Sequence, residues 1–176
     1  MRIRNFSCHS DSITSVSYCR SIHAPYIVAT GSRDKSIIFH DVRQKYSMVS
    51  RINNPGGMII NLNWSCNESP EQMDQCDPTH VYLGCSTAND YKSGKLSIWS
   101  LKEILSSSNN LRMCAPTPVL IDEFSHQCPI KAMAWNPIKR GLLATGGSTA
   151  EDPVIRFYDL NNLSTQTIQN DNVSQV

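Results

Sequence analysis

Ile130-Lys131-Ala132-Met133-Ala134-Trp135-Asn136-Pro137, then Leu142-Leu143-Ala144-Thr145-Gly146-Gly147, then Val154-Ile155-Arg156-Phe157-Tyr158-Asp159, form a three-part unit. In its first part Ile130, Ala132 and Ala134 fall on one face and Lys131 and Met133 on the other. Alternation with period two over so short a stretch predicts a β-strand. The second part is a short apolar run stopped by glycine, and the third ends in an aromatic followed by Asp. The pattern occurs twice more. Ile13-Thr14-Ser15-Val16-Ser17-Tyr18, Tyr26 to Asp34 and Ser36-Ile37-Ile38-Phe39-His40-Asp41 give one copy. Ile59 to Ser65, Val81 to Ser86 and Lys95-Leu96-Ser97-Ile98-Trp99-Ser100 give another. The unit ends Asp41, Ser100 and Asp159 are evenly spaced, 59 residues apart. Helical spacing is confined to Leu101–Leu105.

Composition agrees with short strands joined by polar loops. Apolar residues make up 40% of the 176, and Ser, Asn and Thr are plentiful. Sixteen basic residues stand against 15 acidic ones, so electrostatics does not direct the chain to nucleic acid or an anionic membrane. No apolar stretch is long enough for a signal peptide or a membrane-spanning helix. The seven cysteines (8, 19, 66, 76, 85, 114 and 128) include no C-x-x-C pair, so neither a zinc site nor a redox motif is expected, and reduced thiols in the nucleus or cytoplasm are the simpler reading. The sequence lacks a Gly-x-Ser-x-Gly elbow, a His-Glu-x-x-His motif and a phosphate loop after Pro55-Gly56-Gly57. It proposes no enzymatic reaction, no catalytic residue and no cofactor.

Repeated strand units of this kind build β-propellers, in which each four-stranded blade buries its faces against its neighbours. The paired ends His40-Asp41, Trp99-Ser100 and Tyr158-Asp159 resemble the Trp-Asp ending of a WD repeat. His9 and His126 each stand four residues before the first strand, like the histidine of its Gly-His opening; Gly56 takes that place in the second unit. The fold expected is all-β: a partial WD-repeat propeller of about three blades. The units span about 9–43, 56–101 and 126–160, and a further unit starts at 173–176. Ser164 to Gln169 is expected to be an outer strand. Extra residues fall in loops 66–80, 87–94 and 102–125, where added length costs little closure entropy. Closed propellers need about four to eight blades, so the expectation is a truncated or divided chain, or one completed by a partner carrying the missing blades.

The third unit, with Gly31-Ser32-Arg33-Asp34 through Asp41-Val42-Arg43 and the terminal Ser174-Gln175-Val176, resembles the fizzy family of WD-repeat activators of the anaphase-promoting complex, a ubiquitin ligase. Arg4-Asn5-Phe6 with His9-Ser10 is similar to the segment before that family's third blade. The resemblance covers nearly the whole chain in order. It implies blades three to five of a seven-bladed ring and a part in cell-cycle control, with the divergent second unit hinting at meiosis. The implied partners are the anaphase-promoting complex and substrates bearing destruction motifs such as the Lys-Glu-Asn box. In the family that motif is read by loops joining the second and third strands of each blade. Thr149 matches a contact position there; Asn89 and Asp90 are the nearest equivalents in the lengthened loop Thr87 to Gly94. Arg33 is the candidate partner for the motif's Glu. The family's upstream ligase-docking motif and its Ile-Arg tail have no counterpart here.

Bland readings stand beside these. His9 and His126 are expected to bond within their blades, Asp34 to shape a turn, and Tyr18, Trp64 and Trp135 to pack. Arg33, Asn89, Asp90 and Thr149 are otherwise solvated loop tips. The alternatives to degron binding are a generic WD-repeat scaffold fragment and a remnant without function.

Overall fold

Alternation in each unit becomes strand in the computed structural model, which describes residues 5–19, 25–44, 47–65, 81–89, 93–100, 119–148 and 152–162. The first sheet is β1 (Ile13–Tyr18), β2 (Ile27–Ser32), β3 (Ser36–Asp41) and β4 (Met48–Asn53). The second is β5 (Met58–Trp64), β6 (Tyr82–Ala88), β7 (Gly94–Ser100) and β8 (Val119–His126). The third is β9 (Ile130–Trp135), β10 (Leu142–Gly147) and β11 (Ile155–Asp159), closed by a 3-10 turn at Leu160–Asn162. Strands follow chain order in every sheet, and each pairs antiparallel with the next. These are the three sheets of a partial WD-repeat propeller. The helical spacing at Leu101–Leu105, the expected outer strand at Ser164 to Gln169 and the unit starting at 173 lie outside the described residues.

Register makes the sheets superimposable residue by residue. Asp41, Ser100 and Asp159 pair with Ile27, Tyr82 and Leu142, so those positions are equivalent. By the same count Tyr18, Trp64 and Trp135 sit opposite Val28, Leu83 and Leu143. Val16, Leu62 and Met133 face Thr30, Cys85 and Thr145.

The sheets stack through their first strands. Thr14 Oγ1 donates to the Ile59 carbonyl at 2.7 Å, the Leu62 amide to Ser15 Oγ at 3.0 Å, and Trp64 Nε1 to the Ser17 carbonyl at 3.0 Å. At the next junction Asn61 and Asn63 donate to the carbonyls of Lys131 and Met133, and Trp135 Nε1 donates to the Asn63 carbonyl. Partner numbers rise together, so β1, β5 and β9 run parallel, side by side. Small polar side chains suit this place because they reach a neighbouring backbone without separating the sheets.

Apolar cores fill the two junctions. Ile27, Ala29, Ile37 and Phe39 of the first sheet meet Ile59, Leu62, Trp64, Leu83 and Cys85 of the second, and the Phe39 and Trp64 rings meet edge to face at 6.2 Å. Leu96 and Ile98 of the second sheet meet Ile130, Met133, Trp135 and Leu143 of the third. Edge-to-face rings add to area burial because the positive ring edge meets the negative face. Trp64 and Trp135 thus pack as expected. Tyr18 does not: it is exposed, and among the described residues no other sheet packs on the face it lines.

Candidate peptide-binding face

Because the first strands run parallel, every loop joining a second to a third strand opens at the same end of its sheet. Arg33 lies in the β2–β3 loop with an exposed side chain, and its amide donates to the Ser12 carbonyl at 3.0 Å. Asn89 lies exposed at the end of β6 in the equivalent loop. Beside it Gly57 has φ 142°, and a Cβ there would come within 2.7 Å of both Asn89 Oδ1 and the Ala88 carbonyl oxygen. The backbone around Pro55-Gly56-Gly57 can lie against Asn89 only because residue 57 has no side chain. The structure therefore brings Arg33 and Asn89 to one end of adjacent sheets. Asp90 and Thr149 lie outside the described residues.

The loop that carries Arg33 is held by a polar network around its neighbour Asp34. His9 Nδ1 lies 2.9 Å from Asp34 Oδ2, His9 Nε2 lies 2.8 Å from Thr30 Oγ1, and Thr30 Oγ1 lies 2.9 Å from His40 Nε2. Asp34 also accepts from the Ser36 amide, the Ser36 hydroxyl and the Ser10 amide. Burial pushes the Asp34 carboxyl up, but the bonds from Ser36, Ser10 and His9 outweigh it and hold the carboxyl below the ordinary range. His9 and Asp34 thus do structural work, stapling the β2–β3 loop to the segment before β1. At the far end of the sheet, Asp41 receives the Arg43 guanidinium on both oxygens, and Arg43 covers the Tyr26 ring at 4.3 Å.

The third sheet builds a different network from equivalent positions. His126 stands where His9 does and Asp152 where Asp34 does, but Arg156 takes the place of Ile38 and inserts between them. Arg156 Nη1 donates to Asp152 at 2.9 Å and lies 3.2 Å from His126 Nδ1. A guanidinium only donates, so Nδ1 accepts, and Nε2 carries the proton that it gives to the Tyr158 hydroxyl at 2.7 Å. Burial, reinforced by the Arg156 charge, lowers the His126 pKa to about 4 despite the opposing pull of Asp152. Burial lowers His40 as well.

That shift carries a pH dependence. An unfolded histidine takes up a proton near pH 6.5, while folded His126 resists until about pH 4. The unfolded chain therefore binds more protons across that window, and stability drops as pH falls from 6.5 to 4. The expected loss at this site is roughly 2–3 kcal/mol. The depressed carboxylates Asp34, Asp41 and Asp152 lose their contribution only below the ordinary carboxylate range, so the upper window isolates histidine. Thermal unfolding of the chain and of His126→Asn at pH 7, 5.5 and 4.5 checks this. The variant should show a shallower slope.

The second sheet dismantles the network. By register the histidine's place falls on Pro55, four residues before Ile59, and not on Gly56; Ser93 stands at the Asp34 position and Cys85 at the Thr30 position. Among the described residues Trp99 Nε1 and Thr87 Oγ1 are buried without a hydrogen-bond partner. A cysteine accepts hydrogen bonds weakly, so Cys85 cannot serve Trp99 as Thr30 serves His40. Burial raises the Cys85 thiol far above its ordinary range, so it is inert. Repeat alignment shows from sequence that the second unit lacks the histidine. The Arg156 wedge and the Cys85 mismatch become visible only once strand register fixes which residues share a row.

Comparison with known proteins places this geometry. Residues 1–41 match the WD domain, G-beta repeat family. Protein FIZZY-RELATED 1 of Arabidopsis thaliana is 32% identical over 85% of this chain and 25% of its own length. APC/C activator protein CDH1 of Saccharomyces cerevisiae is 29% identical over 90% of this chain and 22% of its own length. Anaphase-promoting complex subunit cdc20 of Dictyostelium discoideum is 30% identical over 76% of this chain and 21% of its own length. Among solved structures, a chain in the crystal structure of a mitotic checkpoint complex superimposes with a TM-score of 0.62 at 23% identity, over 92% of this chain and 40% of that one. Chaetomium thermophilum Sqt1 bound to the N-terminus of ribosomal protein L10 gives 0.59 at 18% identity, over 90% and 35%. The chain thus resembles fizzy-family WD-repeat activators and spans about a quarter or less of the length of these relatives.

Proposed function

We propose that this chain contributes to cell-cycle control as a WD-repeat binding element related to activators of the anaphase-promoting complex, recruiting substrate proteins that carry short degron peptides. It works in the nucleus and cytoplasm and catalyses no reaction itself. The observation that carries this reading is the likeness to named activators across most of the chain, joined to a shared end of adjacent sheets at which Arg33 and Asn89 are exposed. In this reading Arg33 pairs with the glutamate of a Lys-Glu-Asn peptide. Asn89, Asp90 and Thr149 supply hydrogen bonds to its amide side chain and backbone. An exposed arginine suits this role because its guanidinium takes a carboxylate in a bidentate pair.

Fluorescence titration with a labelled Lys-Glu-Asn peptide tests the proposal. Saturable binding, weakened about tenfold or more by Arg33→Glu, is expected. A charge reversal at a direct carboxylate contact costs on the order of 2 kcal/mol, worth more than a factor of ten. A folded sample that does not bind the peptide would remove the degron reading and leave a scaffold role.

A further inference from the structure

We propose, on the degron reading above, that Lys35 is a further specificity residue of the peptide-binding face and takes an acidic side chain flanking the Lys-Glu-Asn motif. Lys35 shares the β2–β3 loop with Arg33, and both side chains are exposed.

The backbone at Lys35 is unusual for a lysine. Its φ is 63°, in the left-handed region. Among the described residues Asn54, with φ 50°, is the other non-glycine residue in that region. Asparagine tolerates it because its short polar side chain bonds locally, whereas the lysine Cβ is crowded by a neighbouring carbonyl oxygen. Glycine would adopt the same φ without that clash. The turn is held through its main chain. The Lys35 amide donates to the Ser32 carbonyl at 3.3 Å, and the Lys35 carbonyl accepts from the Asn54 amide at 2.6 Å. Any residue could make both bonds. Among the described residues the Lys35 ammonium forms no ion pair. The lysine side chain thus strains the turn without holding it, which points to a role for its charge outside the fold.

The charges around it say what that role is. Between Arg33 and Lys35 stands Asp34, whose side chain is 4% exposed and turned inward to His9, Ser10 and Ser36. Arg51 Nη2 lies 3.7 Å from the same carboxylate and donates to Ser36 Oγ at 3.2 Å, so the Asp34 charge is offset from within. The exposed carboxylate of Asp11 belongs to Arg33's side of the turn, since the carbonyl of its neighbour Ser12 accepts from the Arg33 amide. On the Lys35 side the chain runs Asn53-Asn54-Pro55-Gly56-Gly57 and carries no charge. That stretch ends against Asn89. Lys35 therefore lies between the Arg33 turn and the Asn89 loop with its charge uncompensated. In the second sheet Lys95 is already engaged by Glu123 at 2.6 Å. A compact ammonium on a flexible stem suits a carboxylate whose exact position varies between substrates.

Fluorescence titration with two labelled peptides tests this, one with Asp and Glu on both sides of Lys-Glu-Asn, the other with Asn and Gln there. At low ionic strength the chain should bind the acid-flanked peptide about two- to fivefold more tightly, the range of one exposed ion pair. Salt at about 0.5 M should remove the preference. In Lys35→Gly the ratio of the two affinities should fall to near unity. Its melting temperature should be no lower than the parent's, because glycine relieves the left-handed strain. Lys35→Arg should retain the ratio, and Arg33→Glu should weaken both peptides. Equal affinities in the parent, or a preference that survives in Lys35→Gly, overturn the assignment of Lys35 and leave the degron reading standing. A Lys35→Gly variant that melts lower overturns it as well, since the side chain would then serve the fold. A folded chain that binds neither peptide overturns both readings.

Discussion

Replacing Trp64 with alanine is expected to destabilise the chain by about 3–5 kcal/mol, in the range for removing a buried aromatic. That corresponds to a fall in melting temperature of roughly 6–20 °C for a domain of this size. The side chain does three things at once. It fills the space between the first two sheets, meets Phe39 edge to face, and donates its indole proton to the Ser17 carbonyl. Alanine leaves a cavity, and the Ser17 carbonyl loses a donor. Tyr18 gives the contrast. It holds the same register position on a face where no other described sheet packs, so Tyr18→Ala should move stability by less than about 1 kcal/mol. Chemical denaturation of both variants checks the pair, and equal losses would mean that position 64 is not between sheets.

Gly94→Ala should cost about 2–3 kcal/mol, the usual penalty for overpacking a tight contact. Gly94 opens β7 and pairs with His126 at the end of β8. A methyl group at residue 94 would strike the Cys128 carbonyl oxygen and lie 2.9 Å from Pro129 Cα. Both are backbone atoms of the connection that carries the chain into β9. A flexible side chain would move aside, but backbone held between two sheets does not. The expected result is a lowered denaturation midpoint with an unchanged slope against denaturant, since the fold's exposed area on unfolding stays the same. An alanine tolerated without loss would mean that the β8–β9 connection does not lie over residue 94.

Three strands of each unit were legible because the first alternates and the next two read as short apolar runs with fixed endings. β1, β5 and β9 alternate between a sheet junction and the opposite face, and β2 is buried throughout, so its residues read as a short apolar run. The fourth strands of the first two units were not assigned from sequence. In β4 the buried positions are Ser50 and Ile52 while Met48 is exposed, which blurs the apolar signal. β8 carries Asp122, Glu123 and Ser125 among its apolar residues and follows a long polar insertion. Outer strands need little apolar surface, so composition marks them weakly.

The site divides along the same line. His9, His126 and Asp34 were readable as structural because repeats place them at fixed offsets, and each is bonded within its own sheet. Arg33 and Asn89 were readable as loop tips, since turn position follows from the strands on either side. The meeting of Arg156 with His126 was hidden, because a single alternating strand does not say what its neighbour offers in the same row. The exposure of Tyr18 was hidden for a different reason: a repeat motif records the role a position has between neighbours, and among the described residues the first sheet meets another sheet on one side only.

The claim on which the rest depends is that the first two sheets stack with Phe39 against Trp64. A double-mutant cycle of Phe39→Leu and Trp64→Phe measures that contact directly. A coupling of about 0.5–1.5 kcal/mol is predicted for rings meeting edge to face. Strict additivity of the two substitutions would show that the rings do not touch and would contradict the stacked-sheet arrangement.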